Sequence, residues 1–491
     1  MTAALRRSLS SLEVPNYRRF FAGQLVSASG NWTQVVAEMW LILALTGSGV
    51  AAGAVSALQF LPILLFGAWG GLLADRVSKR RLLVVTQALM ALPALGLFAV
   101  TVSGIVVPWM VYALVFARGA VNAVDNPARQ SFVIEIVGSD RVVNAVGLNS
   151  VLIHAARIAG PAIGGILILL WGVEPCFVVN AASFAAMVVA LRRMNPDELH
   201  PAPPAERDAG AFRAVAAGIS YARHTPGLAI PLAMMAVVGT LGFNFQVILP
   251  LLARFAFDGG AGAYTSLVAA MGIGSVAGAL ITGARSQIGP RMLTGAALGF
   301  GAVALVAAAA PSLALVAIML VPLGAASVMF AASVSSTLQL SAAPEMRGRV
   351  MALYSIVFLG SAPIGGPLVG WLAEVAGPRT GLLLAGVAGL ATAAGSRVAF
   401  ARLRDHAANG DETTDPTRPC AAIRARECDR DHGDHGRVRR KAGARPRREP
   451  TRHADDAAGG DRVRHHRDVG GRAASPGPEV VSGPRNDRVA G

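Results

Sequence analysis

Apolar runs long enough to cross a lipid bilayer recur about every 30 residues from Phe20 to Phe400. About 20 helical residues at ~1.5 Å rise span the ~30 Å hydrocarbon layer. No water is available there to pair backbone groups, so only helices or closed barrels survive in it. The runs are too long and too evenly apolar for barrel strands, which alternate. Charged residues make up 15% of the chain and hydrophobic ones 53%, against about 25% charged in a soluble domain. The fold expected is therefore an all-α polytopic membrane protein. Twelve spans are predicted, at 20–44, 50–74, 82–103, 108–126, 142–170, 173–191, 228–253, 264–284, 292–310, 312–338, 350–373 and 380–400.

The loops set the orientation. One set carries Arg18, Arg19, Arg76, Lys79, Arg80, Arg81, Arg129, Arg141, Arg192, Arg193, Arg285, Arg291, Arg347 and Arg349, whereas the opposite set offers little beyond Arg254 and Arg379. The positive-inside rule puts the first set, and with twelve spans both termini, in the cytoplasm. The net charge of +15 is spread over these loops, so it reports topology rather than a nucleic-acid surface. Only two of the 44 basic residues are lysine, a coding bias of GC-rich genomes. The bacterial inner membrane is the expected location.

The chain divides into an N-terminal six-helix bundle (1–191), a cytoplasmic linker (192–226), a C-terminal six-helix bundle (227–400) and a basic tail (401–491). In the linker Phe212, Val215, Ile219 and Ala222 fall at helical spacing, which predicts an interfacial amphipathic helix. The halves repeat: Gly160-Pro161-Ala162-Ile163-Gly164 and Gly366-Pro367-Leu368-Val369-Gly370 lie 206 positions apart, as do Arg141 and Arg347. Two such bundles, pseudo-symmetric, are the architecture of a transporter that rocks about a site near the bilayer midplane. The tail has almost no aliphatic periodicity and is expected to be disordered; a frame-shifted read of GC-rich coding sequence would give the same composition. Its Cys420, Cys428, His432 and His435 match no common zinc spacing, so no metal is expected.

Between the second and third spans stands Gly71-Leu72-Leu73-Ala74-Asp75-Arg76-Val77-Ser78-Lys79-Arg80-Arg81. This resembles the loop motif of the major facilitator superfamily, with Ser78 where glycine is usual. Ala156, Gly160, Pro161, Gly164 and Gly165 resemble the fifth-helix motif of that superfamily's exporters, with Ala156 in place of the first glycine. The segments Asp125–Phe132, Pro344–Arg349 and Gly30-Asn31-Trp32 are similar to its enterobactin-exporter-like, transmembrane secretion effector branch. The resemblance covers roughly residues 10 to 400. It implies a cytoplasmic latch of Gly71, Asp75, Arg76 and Arg80 that stabilises an outward-facing state, although these cations also serve simply to set orientation. It also implies a hinge and seal at Gly160, Pro161, Gly164 and Gly165, where small residues and a missing backbone donor permit close approach and a kink.

Ionisable groups at membrane depth are functional candidates by default. Glu38 lies in the first span with Asn31 and Gln34 on the same stripe; Arg118 lies in the fourth; His154 and Arg157 lie in the fifth. A carboxylate in a low-dielectric cavity can titrate near neutrality. This nominates Glu38 as a proton-coupling acid that pairs with Arg118 or Arg157 when ionised, with His154 as a second titratable group. A static salt bridge, or a solvated Glu38 near the outer surface, are the alternatives. The seventh span offers Asn244 and Gln246 beside Phe243 and Phe245, which with Asn31 and Gln34 are candidates for a substrate cavity.

No Gly-x4-Gly-Lys-Ser/Thr loop, catalytic triad or dinucleotide motif occurs in the sequence. The expectation is not an enzyme but a secondary active transporter: a monomer without cofactor, exporting a hydrophobic or amphipathic small molecule, drug or siderophore, by proton antiport. An importer or uniporter of the same fold, or a non-transporting membrane scaffold or sensor, remains open.

Overall fold

The computed structural model describes residues 10–200, 211–284, 289–343 and 345–410. The expected disorder of the tail falls outside the described residues from 411 onward, and the side chains of His154 and of residues 211–217 are likewise outside them. The first half consists of α1 (Pro15–Thr46), α2 (Gly49–Arg76), α3 (Lys79–Val102), α4 (Pro108–Val137), α5 (Val142–Trp171) and α6 (Glu174–Arg192). The connector helix α7 (Ala211–His224) follows. The second half consists of α8 (Pro226–Gly242), α9 (Phe245–Leu251), α10 (Ala261–Gly283), α11 (Pro290–Ala309), α12 (Leu313–Ser341), α13 (Arg347–Ala376) and α14 (Thr380–Gly410). There is no strand among the described residues.

Twelve spans result once α8 and α9 are counted together. Ten of them are long and apolar enough to cross a membrane. The other two, α1 and α4, are long enough but carry Asn31, Gln34 and Glu38 in one and Arg118, Asp125 and Arg129 in the other. The polar spans are thus the ones that hold the buried charges.

The packing repeats between halves. In the first, α1 packs on α5 and α6, α2 on α4, and α3 on α4 and α6. In the second, α8 packs on α13 and α14, α10 on α12, and α11 on α12 and α14. Every pair has its counterpart, so the duplication read from two short motifs extends through the whole helix arrangement. The halves meet chiefly along α2 with α13 and α5 with α10, with the short α9 touching α1 and α2.

Small residues make this packing possible, because apolar side chains gain little from leaving equally apolar lipid and association depends on close backbone approach. A Cβ on Gly274 of α10 would run into the Val321 carbonyl of α12, and one on Gly301 of α11 would overlap the backbone of α14 at Gly389 and Leu390. Turns are cut short by local chemistry. Gly47 closes α1 with φ +66°, a left-handed conformation that glycine adopts without a Cβ penalty. Ser48 then caps α2 by accepting from the Ala51 N–H at 3.1 Å.

Several helices overrun their predicted edges, α1 beginning at Pro15 and α14 reaching Gly410, and two spans differ in a way that bears on the site. The fourth, expected to end at 126, continues to Val137. The seventh, expected to be continuous over 228–253, breaks at Phe243–Asn244 and ends in a π-helical turn, Leu252–Ala256. The Asn244 side-chain amide folds back to donate to the Thr240 carbonyl at 2.7 Å. The backbone of α13 presses on this break at Gly365, where a Cβ would collide with the Thr240 carbonyl.

Candidate functional site

In the middle of the first half, Glu38 and Arg118 form an ion pair, Oε2 to guanidinium 2.6 Å, with side chains 0% and 5% exposed. α1 supplies the acid and α4 the base. Arg118 also donates to Asn31 Oδ1 at 2.8 Å. Gln34 donates to the other carboxylate oxygen of Glu38 at 2.7 Å, and Asn180 of α6 donates to Gln34 at 2.5 Å. Ser183 completes the chain by donating to Asn180 Oδ1 at 3.0 Å. Gly30 makes room for this, since a Cβ there would overlap the Ser183 hydroxyl. Both carboxylate oxygens of Glu38 are therefore occupied, whereas Arg118 Nε is buried without a partner.

One helical turn and more toward the Arg-rich loops lies a second network. Asp125, fully buried, accepts from Thr86 at 2.6 Å and Gln87 at 2.9 Å on α3, and from Arg129. Arg129 reaches Gln24 of α1 at 2.5 Å. At the helix ends Lys79 pairs with Glu135 at 2.6 Å.

Between these networks and the ends of α4 and α5 is a cavity of about 440 Å³, lined by Gln24, Asn31, Asn122, Asn126, Gln130 and Asn149 together with Trp32 and Met90. Arg129, held by Asp125, also reaches its wall, so six amides and one ion-paired guanidinium supply its hydrogen-bonding capacity. Larger hollows, near Trp171 and near Arg291, open on other faces of the helices and touch neither network. In the second half the break at Phe243 is the hub of an aromatic cluster, with ring centroids 5.5 Å from Phe300, 6.1 Å from Phe330 and 6.3 Å from Phe358.

Of the residues nominated from sequence, Asn31 lines the cavity while Gln34 is sealed inside the ion-pair network. Asn244 and Gln246 sit at the break of the seventh span, and the side-chain oxygen of each is buried without a partner. Arg157 does not reach Glu38; its guanidinium lies over the Trp32 ring, 5.1 Å from the centroid. His154 lies one turn before it on α5. Gly160 packs on α1, where Thr33 donates to its carbonyl at 2.9 Å, and Gly164 lies against the same residue. Gly165 faces the other half, against Thr265 of α10. Pro161 lies inside an unbroken α5. Among the latch residues, Arg80 donates to the Leu191 and Arg192 carbonyls at 2.8 Å each, capping α6. Asp75 and Arg76 are exposed and without ion-pair partners among the described residues, and Gly71 has open space beside it.

Sequence reasoning overlooked Asp125, Asn122, Asn126 and Asn180 as site residues. The signal was present on α4, where Arg118, Asn122, Asp125 and Arg129 recur at three- and four-residue intervals on one face.

At the opposite end the halves are shut against each other. Glu374 of α13 accepts from the Ser48 hydroxyl at 2.5 Å and the Val50 N–H at 3.0 Å, capping α2 across the interface. Beneath it Gly49 and Gly53 press on the carbonyls of Gly370 and Gly366. Trp40 stacks on Tyr264, centroids 6.4 Å apart.

A family model described as transmembrane secretion effector matches residues 7–426. The chain belongs to the transmembrane secretion effector family. That family is one of major facilitator transporters, not enzymes, and with these helices it makes the chain a multi-pass protein of the bacterial inner membrane. Among curated relatives, the staphyloferrin A transporter of Staphylococcus aureus is 27% identical over 53% of this chain and 65% of its own length. The multidrug efflux pump Tap of Mycolicibacterium fortuitum is 25% identical over 72% of this chain and 88% of its own. The chain thus spans slightly less than two thirds of the first of these. Among solved structures, a bacterial homologue of the lysosomal transporter spinster, inward-facing and occupied, has a TM-score of 0.63 at 14% identity, covering 78% of this chain and 96% of that one; at that identity the likeness concerns the fold.

Proposed function

We propose that this family member exports an amphipathic small molecule in exchange for protons, with Glu38 as the coupling acid. The observation that carries the reading is the buried Glu38–Arg118 pair, joined through Asn31 to the wall of the amide-lined cavity. Charges are costly at membrane depth and are kept where they act. Protonation of Glu38 removes its charge and releases Arg118; deprotonation restores the pair. An equilibrium between these two arrangements gives the halves two states to rock between. The amides of the cavity suit the polar part of a substrate, and Trp32, Met90, Val133 and Ile153 on the same wall suit its apolar part.

The cavity runs toward the Arg-rich loops, which the positive-inside rule assigns to the cytoplasm, while Glu374 and the closely apposed glycines close the other end. This arrangement is inward-open, and the unpaired Asp75 is the latch undone. Curated relatives named as a siderophore transporter and an efflux pump agree with export of such a molecule.

Everted membrane vesicles test the reading with a panel of dyes, macrolides and siderophores. At least one compound is expected to accumulate on energisation, to be released by an uncoupler, and to fail to accumulate with Glu38→Gln. Accumulation indifferent to both the uncoupler and the substitution overturns proton coupling through Glu38; flux of the opposite sign identifies an importer.

A further inference from the structure

We infer that Arg157, backed by the indole of Trp32, is the seat of a carboxylate on the transported molecule, so that the substrate class is amphipathic organic acids. The inference rests on the reading of the cleft as a substrate site.

The arginines within α4 and α5 are Arg118, Arg129 and Arg157. The first two each have a carboxylate, Glu38 and Asp125. Arg157 has none, and it makes no hydrogen bond among the described residues; its Nε is buried and unpartnered. An arginine keeps its charge in any protein environment. A guanidinium with a structural task looks like Arg80, saturated by two helix-end carbonyls. Arg157 has only the Trp32 ring 5.1 Å away, which attracts a cation through its quadrupole but does not neutralise it.

The position is where the fold places substrates. Three residues on, the backbones of α5 and α1 touch at Gly160, and on its other flank Ile158 meets Gly272 of α10 in the opposite half. Trp32 and Ile153 line the amide cavity. The missing counter-charge is therefore at the seam between the halves, next to space that a ligand can enter. A carboxylate matches the guanidinium fork with two parallel hydrogen bonds. The ion pair so formed would be complete only when substrate is bound.

The test uses the full-length protein in nanodiscs and two matched probe pairs: 2-naphthoate and dansyl-glycine, each against its methyl ester, by equilibrium binding. Wild type is expected to bind each acid at least about ten-fold tighter than its ester. Arg157→Gln is expected to bring the acid down to the level of the ester, and Arg157→Lys to keep part of the preference, since a point charge replaces the fork. Thermal melts establish that both variants are folded. Equal or absent binding of acid and ester in wild type overturns the inference, as does a preference that survives Arg157→Gln. An acid preference lost in Arg157→Gln, with no acid flux in everted vesicles, leaves the anion seat standing and removes the transport reading instead.

Discussion

Replacing the Glu38 carboxylate by a neutral amide leaves the Arg118 guanidinium buried without its counter-charge. Breaking one side of a buried pair costs about 3–5 kcal/mol. Glu38→Gln is therefore expected to lower the melting temperature in detergent markedly, and Arg118→Gln in the same chain to recover much of it without restoring proton-driven flux. If the double variant melts no higher than the single one, the pair is not what the bundle is built around. The loop cations separate in the same way. Arg80→Gln removes a cation from the carbonyl end of α6 and is expected to cost up to about 1 kcal/mol. Asp75 is exposed and has no ion-pair partner among the described residues, so Asp75→Asn is expected to change stability by no more than about 0.5 kcal/mol, while slowing flux if the proposed latch forms in an opposite state. A melt of Asp75→Asn well below that range would show that it is already engaged here.

At the scale of elements, apolar length and the 206-residue offset made the twelve spans and their pairing legible. What the residues could not disclose was rotation and partnership. Glu38 had two arginines within sequence reach, and only the facing of α1 and α4 selects Arg118. Asp125-Asn126-Pro127 reads as a helix end because its polarity and proline are those of a boundary. It continues as helix, with Thr86 and Gln87 of α3 donating to Asp125 and Gln24 of α1 accepting from Arg129 one turn on. The break at Phe243 was hidden for the converse reason: the α13 backbone at Gly365, more than a hundred residues away, packs directly on it beside the local Asn244–Thr240 bond. The Gly-Pro cluster carries a prediction at this scale. Valine at Gly165 would drive α5 against Thr265 of α10, with an overpacking cost of about 1–3 kcal/mol. Gly165→Val is expected to melt lower and lose flux; wild-type flux from it would mean that the halves do not meet there during the cycle.

For the whole molecule, the proposed cycle requires the two ends of the bundles to be shut in turn. Ser48 and Glu374 hold one end. A cysteine pair at these positions, with Cys420 and Cys428 replaced by serine, is expected to crosslink, to arrest flux under oxidation, and to release it on reduction. Undiminished flux from the crosslinked protein would mean that this end never has to part.

The glycines under that closure face one another as bare peptide ribbon. Surfaces of this kind interlock few knobs and sockets, so little side-chain repacking stands between the touching and the parted arrangement. Parting them would cost the dispersion attraction between two smooth backbones, together with the two hydrogen bonds that Glu374 accepts above them. A branched side chain grown at Gly49, Gly53 or Gly370 would meet the facing backbone and act as a doorstop between the two helices.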